Sequence, residues 1–375
     1  MKLRTAAIIV AGVVALGLGV FLYAGHRQHA EAEELLRAAY AEGRQIGFIG
    51  QGKIGLLAAG KWVERRARFA QAAGRRRIEG VGGPAGPVLL DDGSTTWRLE
   101  PAAQRAVGIG PSEQQRDWKL LLRNYRLRLE GEAQVAGRRA QRVALVPRRQ
   151  RGAALRLWID RDTKAALRTD SFDADGHLVA RTLLESVDFD RPPAPGGLHV
   201  PEAWSQVWMG NAPAKQLTLE EFVKTAGFTP RAPTYVPPGY EDRGLFGRNT
   251  WRGKRYAELR YHDGLRALSV FERPPPGAHG RGQGMGRGHG AGPGGGPPPG
   301  GGFGPGPGVG WRWGRGWQTD QQPVVIDQGA TKSIRQRRED LMVVVTGDLP
   351  VPELVRVLIS VPEEKAESEE GEDRL

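Results

Sequence analysis

Cysteine is absent from the 375 residues. Disulfides, thiol chemistry, cysteine-ligated zinc and lipid attachment through a cysteine are therefore excluded. Catalytic signatures are missing as well. No Gly-x-Ser-x-Gly elbow and no phosphate-cradling loop occurs, and the Gly-x-Gly runs beyond residue 277 have no strand-to-helix turn before them. The seven histidines stand at 26, 29, 177, 199, 262, 279 and 289. His26 and His29 have helical spacing but no third ligand nearby, so no metal site is expected. Asp160 and Asp162 resemble a carboxylate pair, yet in such a run Asp bonds its own backbone to make a turn. The sequence thus points away from an enzyme and assigns no catalytic, cofactor-binding or metal-ligating residue.

Acidic charge is the scarcer sign: 42 Asp and Glu face 54 Lys and Arg, a net charge of +12. The basic residues are mostly Arg and are scattered along strands, the pattern of a solvated surface. Such a balance suits an acidic protein segment or anionic lipid. No nucleic-acid partner is expected for an exported chain.

Long apolar runs are also lacking, except at the start. Lys2 and Arg4 precede an uncharged run from Thr5 to Gly25 whose apolar heart, Ala6 to Tyr23, just suffices to cross a bilayer as a helix. Leu22-Tyr23-Ala24 is the best cleavage candidate, but its outer residue is Leu. Residues 1–29 are read as an uncleaved signal anchor, with a cleaved signal peptide as the alternative. Either way the positive flank stays inside and the remainder is exported. The expected location is the periplasmic side of the cell envelope, anchored in the inner membrane or, after cleavage, free in the periplasm.

Beyond residue 29 the chain alternates between helix and strand patterns. Ala30 to Glu42 reads as a short helix. Phe48, Ile54 and Leu56 share strand parity, and Val63, Ala67 and Phe69 continue at period two. Asp92-Gly93 suits a hairpin turn. Ser112 with Gln115 forms a capping box for a helix whose stripe is Trp118, Leu121 and Leu122. Strand patterns resume from Tyr125 to Phe189. Nine or ten antiparallel strands with one interrupting helix predict an α+β, half-barrel-like domain over 30–190. The helix should cover the concave side of this curved sheet, giving a candidate apolar pocket of Phe48, Ile54, Trp118, Leu121 and Leu122. Arg191-Pro192-Pro193-Ala194-Pro195-Gly196-Gly197 opens a proline-stiffened linker over 191–216. A smaller α+β domain occupies 217–361. In it Thr218 and Glu221 cap a helix, Asp263-Gly264 turns a hairpin, Leu341 to Thr346 is a strand, and Pro352 to Val361 is a final helix.

This small domain is interrupted at 274–322. Within the interruption, residues 277–316 hold 20 Gly and no acidic residue. Such a stretch cannot bury enough apolar surface to offset its ordering entropy and is expected to be disordered. Its Trp311, Trp313 and Trp317, interleaved with Arg312 and Arg315, could touch headgroups. Residues 362–375 form an acidic tail.

Two sets of motifs carry a family likeness. The first is Asn124-Tyr125-Arg126-Leu127, Gly131-Glu132, Val135-Ala136-Gly137-Arg138, the run Leu157 to Thr163, and Asp175-Gly176-His177-Leu178. The second is Val236-Pro237-Pro238-Gly239-Tyr240, the run Tyr261 to Phe271, and Val343 to Pro350. In this order they resemble the MucB/RseB family of periplasmic sigma-factor regulators, over roughly 45–190 and 217–361. The resemblance implies a lipoprotein-carrier-like half-barrel around an apolar cavity, with helices as a lid, and a small C-terminal domain. It implies a non-enzymatic regulator without cofactors that binds a membrane-spanning anti-sigma factor and senses a lipid-like signal. The hairpin around Tyr261, Asp263 and Gly264 is the candidate partner-binding region. The alternative is a lipid or lipoprotein carrier of the cell envelope. Three features depart from the family pattern: the retained N-terminus, the glycine-rich insertion, and the short arginine-rich region from Arg75 to Gly86.

Overall fold

A computed structural model describes residues 28–363, apart from 59, 82–87, 113–115, 151, 209–215, 250–254, 275–321, 328–330 and 339–340. The apolar N-terminal run, nearly all of the Gly/Pro-rich insertion and nearly all of the acidic tail lie outside the described residues. Among those described, no helix is long and apolar enough to cross a membrane. The chain divides near Gln206 into two compact units.

The first unit is built on one antiparallel sheet. Its strands are β1 (Phe48–Ala58), β2 (Lys61–Ala72), β3 (Arg75–Gly80), β4 (Val88–Asp91), β5 (Thr95–Glu100), β6 (Arg105–Pro111), β7 (Tyr125–Val135), β8 (Arg138–Pro147), β9 (Leu155–Asp160), β10 (Ala166–Phe172), β11 (Leu178–Asp188) and β12 (Ser205–Trp208). The order β12-β6-β5-β4-β3-β2-β1-β11-β10-β9-β8-β7 leaves the two end strands unpaired with each other. The sheet is therefore open, and it is curved. Turn chemistry fixes its register. Ala136 (φ 52°) and Gly137 (φ 75°) make the two-residue turn between β7 and β8, where positive φ at both positions matches the strand twist. Gly52 sits at the bulge where β1 shifts register against β11, and a Cβ there would fall 1.9 Å from the Leu183 carbonyl oxygen.

Two helices accompany this sheet. Residues 28–38 form α1, which widens into a π turn at Ala39–Gly43. Trp118–Asn124 forms α2. Its N-cap is Asp117, whose carboxylate accepts from the Leu120 amide at 3.0 Å, and not the expected Ser112. The Ser112 amide instead donates to Ser94, beside the β5–β6 ladder.

The sheet has twelve strands where nine or ten were expected. β3 is Arg-rich and β6 Gly-containing, so neither shows apolar alternation, yet each pairs through its backbone on both sides. The stretch expected as a linker is also corrected in part: Pro195–Leu198 forms a 3-10 turn packed on β2 and β3, and Ser205–Trp208 is the edge strand beside β6.

The second unit is a seven-stranded antiparallel sheet: β13 (Gln216–Leu217), β14 (Glu241–Asn249), β15 (Arg255–His262), β16 (Ala267–Arg273), β17 (Val324–Asp327), β18 (Lys332–Arg337) and β19 (Met342–Gly347), in the order β13-β14-β15-β16-β19-β18-β17. Helix α3 (Leu219–Ala226) begins with the predicted Thr218–Glu221 capping box and ends at Gly227 in the left-handed region. Helix α4 (Val351–Ile359) packs on β18 and β19. Its Leu354, Val357 and Leu358 join Leu259, Leu268, Val270, Ile334, Val343 and Val345 in the core. Both units mix extended sheet with a few short helices, the expected α+β class.

Candidate functional site

The first unit carries a groove of about 680 Å³ across β11, β1, β2 and β3. Its floor comes from residues that face each other on neighbouring strands. Ile49 pairs with Asp188 and Gly50 with Val187, while Arg68 pairs with Glu79 and Ala70 with Arg77. Pro193 and Gly197, from the segment after β11, line one side. That segment is held by Arg77, which donates to the Gly197 carbonyl at 3.3 Å and pairs with Glu79 at 2.6 Å. Arg75 reaches His199 at 2.6 Å. The groove thus has the aliphatic Ile49 and Ala70 beside the guanidinium groups of Arg68 and Arg77, and Phe69 and Val187, which pack in the Phe48 core, also line it. Its size lies within the range of small-ligand clefts.

The predicted pocket residues do not assemble there. Phe48, 2% exposed, joins Ala67, Phe69, Trp158, Leu167 and Leu184 in a closed core, and Ile54 packs against that core. Trp118, Leu121 and Leu122 lie elsewhere, on α2. The buried face of α2 is Leu120 and Leu121, and Leu122 is half-buried. Trp118 is half-buried and meets the Tyr40 ring edge-on at 5.4 Å, with the Arg37 guanidinium over its own face at 5.0 Å. The expectation of one pocket shared by β1 and α2 is corrected: strand alternation sends Phe48 to the face opposite Ile49. The groove draws mostly on the other parity, with Ile49, Arg68, Ala70, Arg77 and Glu79, although Phe69 and Val187 of the Phe48 core line it too. Arg77 and Glu79 escape the sequence reading because the region from Arg75 to Gly86 shows no apolar alternation that would mark a strand, and Arg68 because it sits on the polar alternate positions of β2.

The candidate hairpin is assembled, but inward. Tyr261 lies in the core of the second unit, and burial pushes its phenol pKa well above the ordinary range, with Asp242 and Glu272 adding to the rise. Asp263 accepts from the amides of Leu265 at 2.9 Å and Arg266 at 2.7 Å. Gly264 has φ 100°, and its amide donates to His262 Nδ1 at 2.9 Å. Arg266 forms an ion pair with Asp348 at 2.9 Å. These groups shape the turn, and Asp263 and Gly264 are themselves buried.

Other charged clusters are structural. Asp160, fully buried, accepts from Arg138 Nε at 2.6 Å and from the amides of Asp162 and Thr163, the turn expected for this run. Asp170 accepts paired bonds from both Arg168 and Arg181. For both carboxyls burial pushes the pKa up, and the hydrogen bonds from these arginines, with Thr163 at Asp160, outweigh it and hold them below the usual range. Asp173, Asp175 and His177 come close together, but Asp173 Oδ1 is engaged by the amides of Asp175 and His177.

A groove-bearing open antiparallel sheet with short helices, and after it a separate sheet-and-helix unit, defines a two-domain α+β protein of the curved-sheet kind. Residues 90–206 match the family model for the MucB/RseB N-terminal domain. Over these residues the chain is similar to the MucB/RseB family. Sigma factor AlgU regulatory protein MucB of Pseudomonas aeruginosa is 32% identical over 155 residues, 41% of this chain, and the match spans 46% of that relative's own length. The complex structure of Pseudomonas aeruginosa MucA/MucB superposes with a TM-score of 0.57 at 21% identity, covering 90% of this chain and 100% of that chain. The crystal structure of MucB in complex with MucA(peri) gives 0.56 at 22% identity with the same coverage. At this identity the two structures establish the fold of the chain.

Proposed function

We propose that the chain is a non-enzymatic regulator on the periplasmic side of the cell envelope that binds a membrane-spanning anti-sigma factor. The observation that carries this reading is the likeness, over both units, to MucB as found in complexes with MucA. The relation to a named sigma-factor regulatory protein supports it further. Regulation of this kind acts by occupancy. The protein covers a site on its partner and releases it when a signal binds, which requires complementary surface and two states but no reacting group. The excess of basic over acidic residues suits an acidic segment of the partner, so binding weakens as salt rises. Residues 6–23 hold the chain in the inner membrane beside such a partner.

The groove favours a second role at the same protein, uptake of a lipid-like signal. Its aliphatic floor suits an acyl chain, and Arg68 and Arg77 suit an anionic head. A carrier that delivers lipid or lipoprotein is the rival reading. The deciding experiment is a binding assay between the full chain in detergent and the single-span anti-sigma proteins of the same cell. The regulator binds one of them saturably, and a lipid signal lowers that affinity. Failure to bind any, together with extraction of lipid or acylated peptide from membranes, establishes the carrier instead.

A further inference from the structure

The first described residues fix where the chain leaves its apolar N-terminal run. That run ends at Gly25, and His29 is already in α1. Four residues span at most about 14 Å. His29 is pinned in turn: its Nδ1 lies 3.2 Å from the Leu127 carbonyl oxygen and 3.3 Å from the Leu127 amide nitrogen, on the outer edge of β7. The start of β7 therefore lies near the end of the apolar run.

Basic side chains collect at this same place. Lys119 and Arg123 stand one helical turn apart on α2, opposite its buried Leu120 and Leu121. Arg126 and Arg128 are the exposed alternates at the start of β7. Arg148 and Arg149 come just after β8 and are exposed. The Arg148 amide donates to the Asn124 carbonyl at 2.9 Å and its guanidinium to the Leu122 carbonyl at 3.2 Å, which ties this loop to the junction of α2 and β7. Of the nearby carboxylates, Asp117 caps α2, Glu130 pairs with Arg142 and Arg156, Glu132 pairs with Arg161 and Glu33 pairs with Arg37, while Glu31 and Glu34 of α1 are exposed and leave the cluster basic on balance. Among the described residues, Lys119, Arg126, Arg128 and Arg149 form no ion pair.

We infer that this pole of the first unit docks on the anionic headgroups of the membrane that holds residues 6–23. The inference rests on the reading that this run stays in the bilayer, and it adds an orientation to it. The α2–β7 end faces the lipid, and the β7–β8 turn at Ala136-Gly137 points away. A point of emergence within about 14 Å puts the start of β7 within about two screening lengths of the surface at physiological salt. Each basic side chain near such a surface tightens association about fivefold. An acidic protein segment would satisfy the same charges, but nothing ties such a segment to this pole, whereas the path from Gly25 to His29 ties the membrane to it.

The absence of cysteine makes single-label experiments clean. A fluorophore is placed on Arg149→Cys, beside the patch, or on Gln134→Cys, about 30 Å away along the hairpin at its far end. The full chain is reconstituted in phosphatidylcholine vesicles with or without phosphatidylglycerol, and a quencher is carried on the lipid headgroups. Co-flotation with the neutral vesicles tests the anchor by itself, and its failure removes both readings. With the anchor in place, quenching of the Arg149→Cys label several-fold above that of the Gln134→Cys label in anionic vesicles is expected. The gap should shrink at high salt and in the K119E/R126E/R128E variant. These positions are exposed, so that variant is expected to keep its fold, which circular dichroism verifies, and R126Q/R128Q gives a milder second version. Equal quenching of the two labels overturns the inference. So does a gap that survives charge reversal while capture of the anti-sigma partner is lost, the result that assigns the patch to a protein.

Discussion

The two sheets of this protein are held together by different means. In the first, long strands are tied sideways by charge. Arg168 and Arg181 both clasp Asp170, Arg142 and Arg156 share Glu130, and Lys53 bridges Glu64 and Glu185. In the second, the six residues of β19 are all buried, and α4 packs Leu354, Val357 and Leu358 onto the sheet. The difference comes from shape. A wide, open sheet has few helices to cover it, so its outward positions carry arginine ladders. A short sheet under a helix can close an apolar core. Beside its apolar core around Phe48 and Phe69, the first arrangement adds a dependence on the ionisation of a few carboxylates, while the second, despite the Glu258–Arg260 pair, rests chiefly on volume.

Four experiments would sharpen or break this contrast. The largest effect is expected from Leu268→Ala, which opens a cavity in the second core and should cost about 2–5 kcal/mol by denaturant titration. A loss under about 1 kcal/mol would show that this core is loosely packed. Asp170→Asn should cost about 1–3 kcal/mol, since it leaves two part-exposed guanidinium groups around a neutral amide. If the variant is as stable as the parent, the arginine clasp is ornamental and the contrast fails. The third test is acid. Asp160 and Asp170 have folded-state pKa values held below the ordinary carboxylate value of about 3.9. Their contribution is therefore complete above that value and is lost as pH falls through the depressed folded values. Hydrogen exchange near pH 3 should show the amides of β9–β11 losing protection before those of β16 and β19. The smallest effect belongs to Thr218→Ala, which removes one half of the α3 capping box and should cost about 1 kcal/mol.

Legibility in the sequence tracked which physical signal was present. Capping boxes and tight turns are local, so Thr218–Glu221 and Asp263-Gly264 were readable directly, although the box expected at Ser112 gave way to Asp117. Strands with one apolar face, such as β1 and β2, declared themselves by alternation. β3 did not, because Arg75, Arg76 and Arg77 give no period, although the backbone of the strand pairs on both sides. The groove was hidden for the same reason. It is lined mostly from the polar parity of its strands, and an apolar pocket was expected. The α2 stripe was read correctly as apolar, but its destination was not. Whether Trp118 meets Phe48 or Tyr40 depends on which part of the sheet α2 lies against, and sequence spacing carries no information about that. The buried hairpin at Tyr261 illustrates a related limit, since turn residues announce a bend but not which way it faces.

An open sheet has a further consequence, for behaviour in a crowded compartment. Each end strand presents a row of backbone donors and acceptors that a second copy of the protein could extend, the route by which sheets grow into aggregates. The two ends are blunted differently. At one, β12 is only four residues long and offers little to pair with. At the other, β7 is eleven residues long, but it is interrupted by a bulge between Leu129 and Glu132, carries Arg126 and Arg128, and has the His29 ring seated on Leu127. The N-terminal helix thus serves as a stopper on the longer edge, and its removal should show first as self-association of otherwise folded molecules.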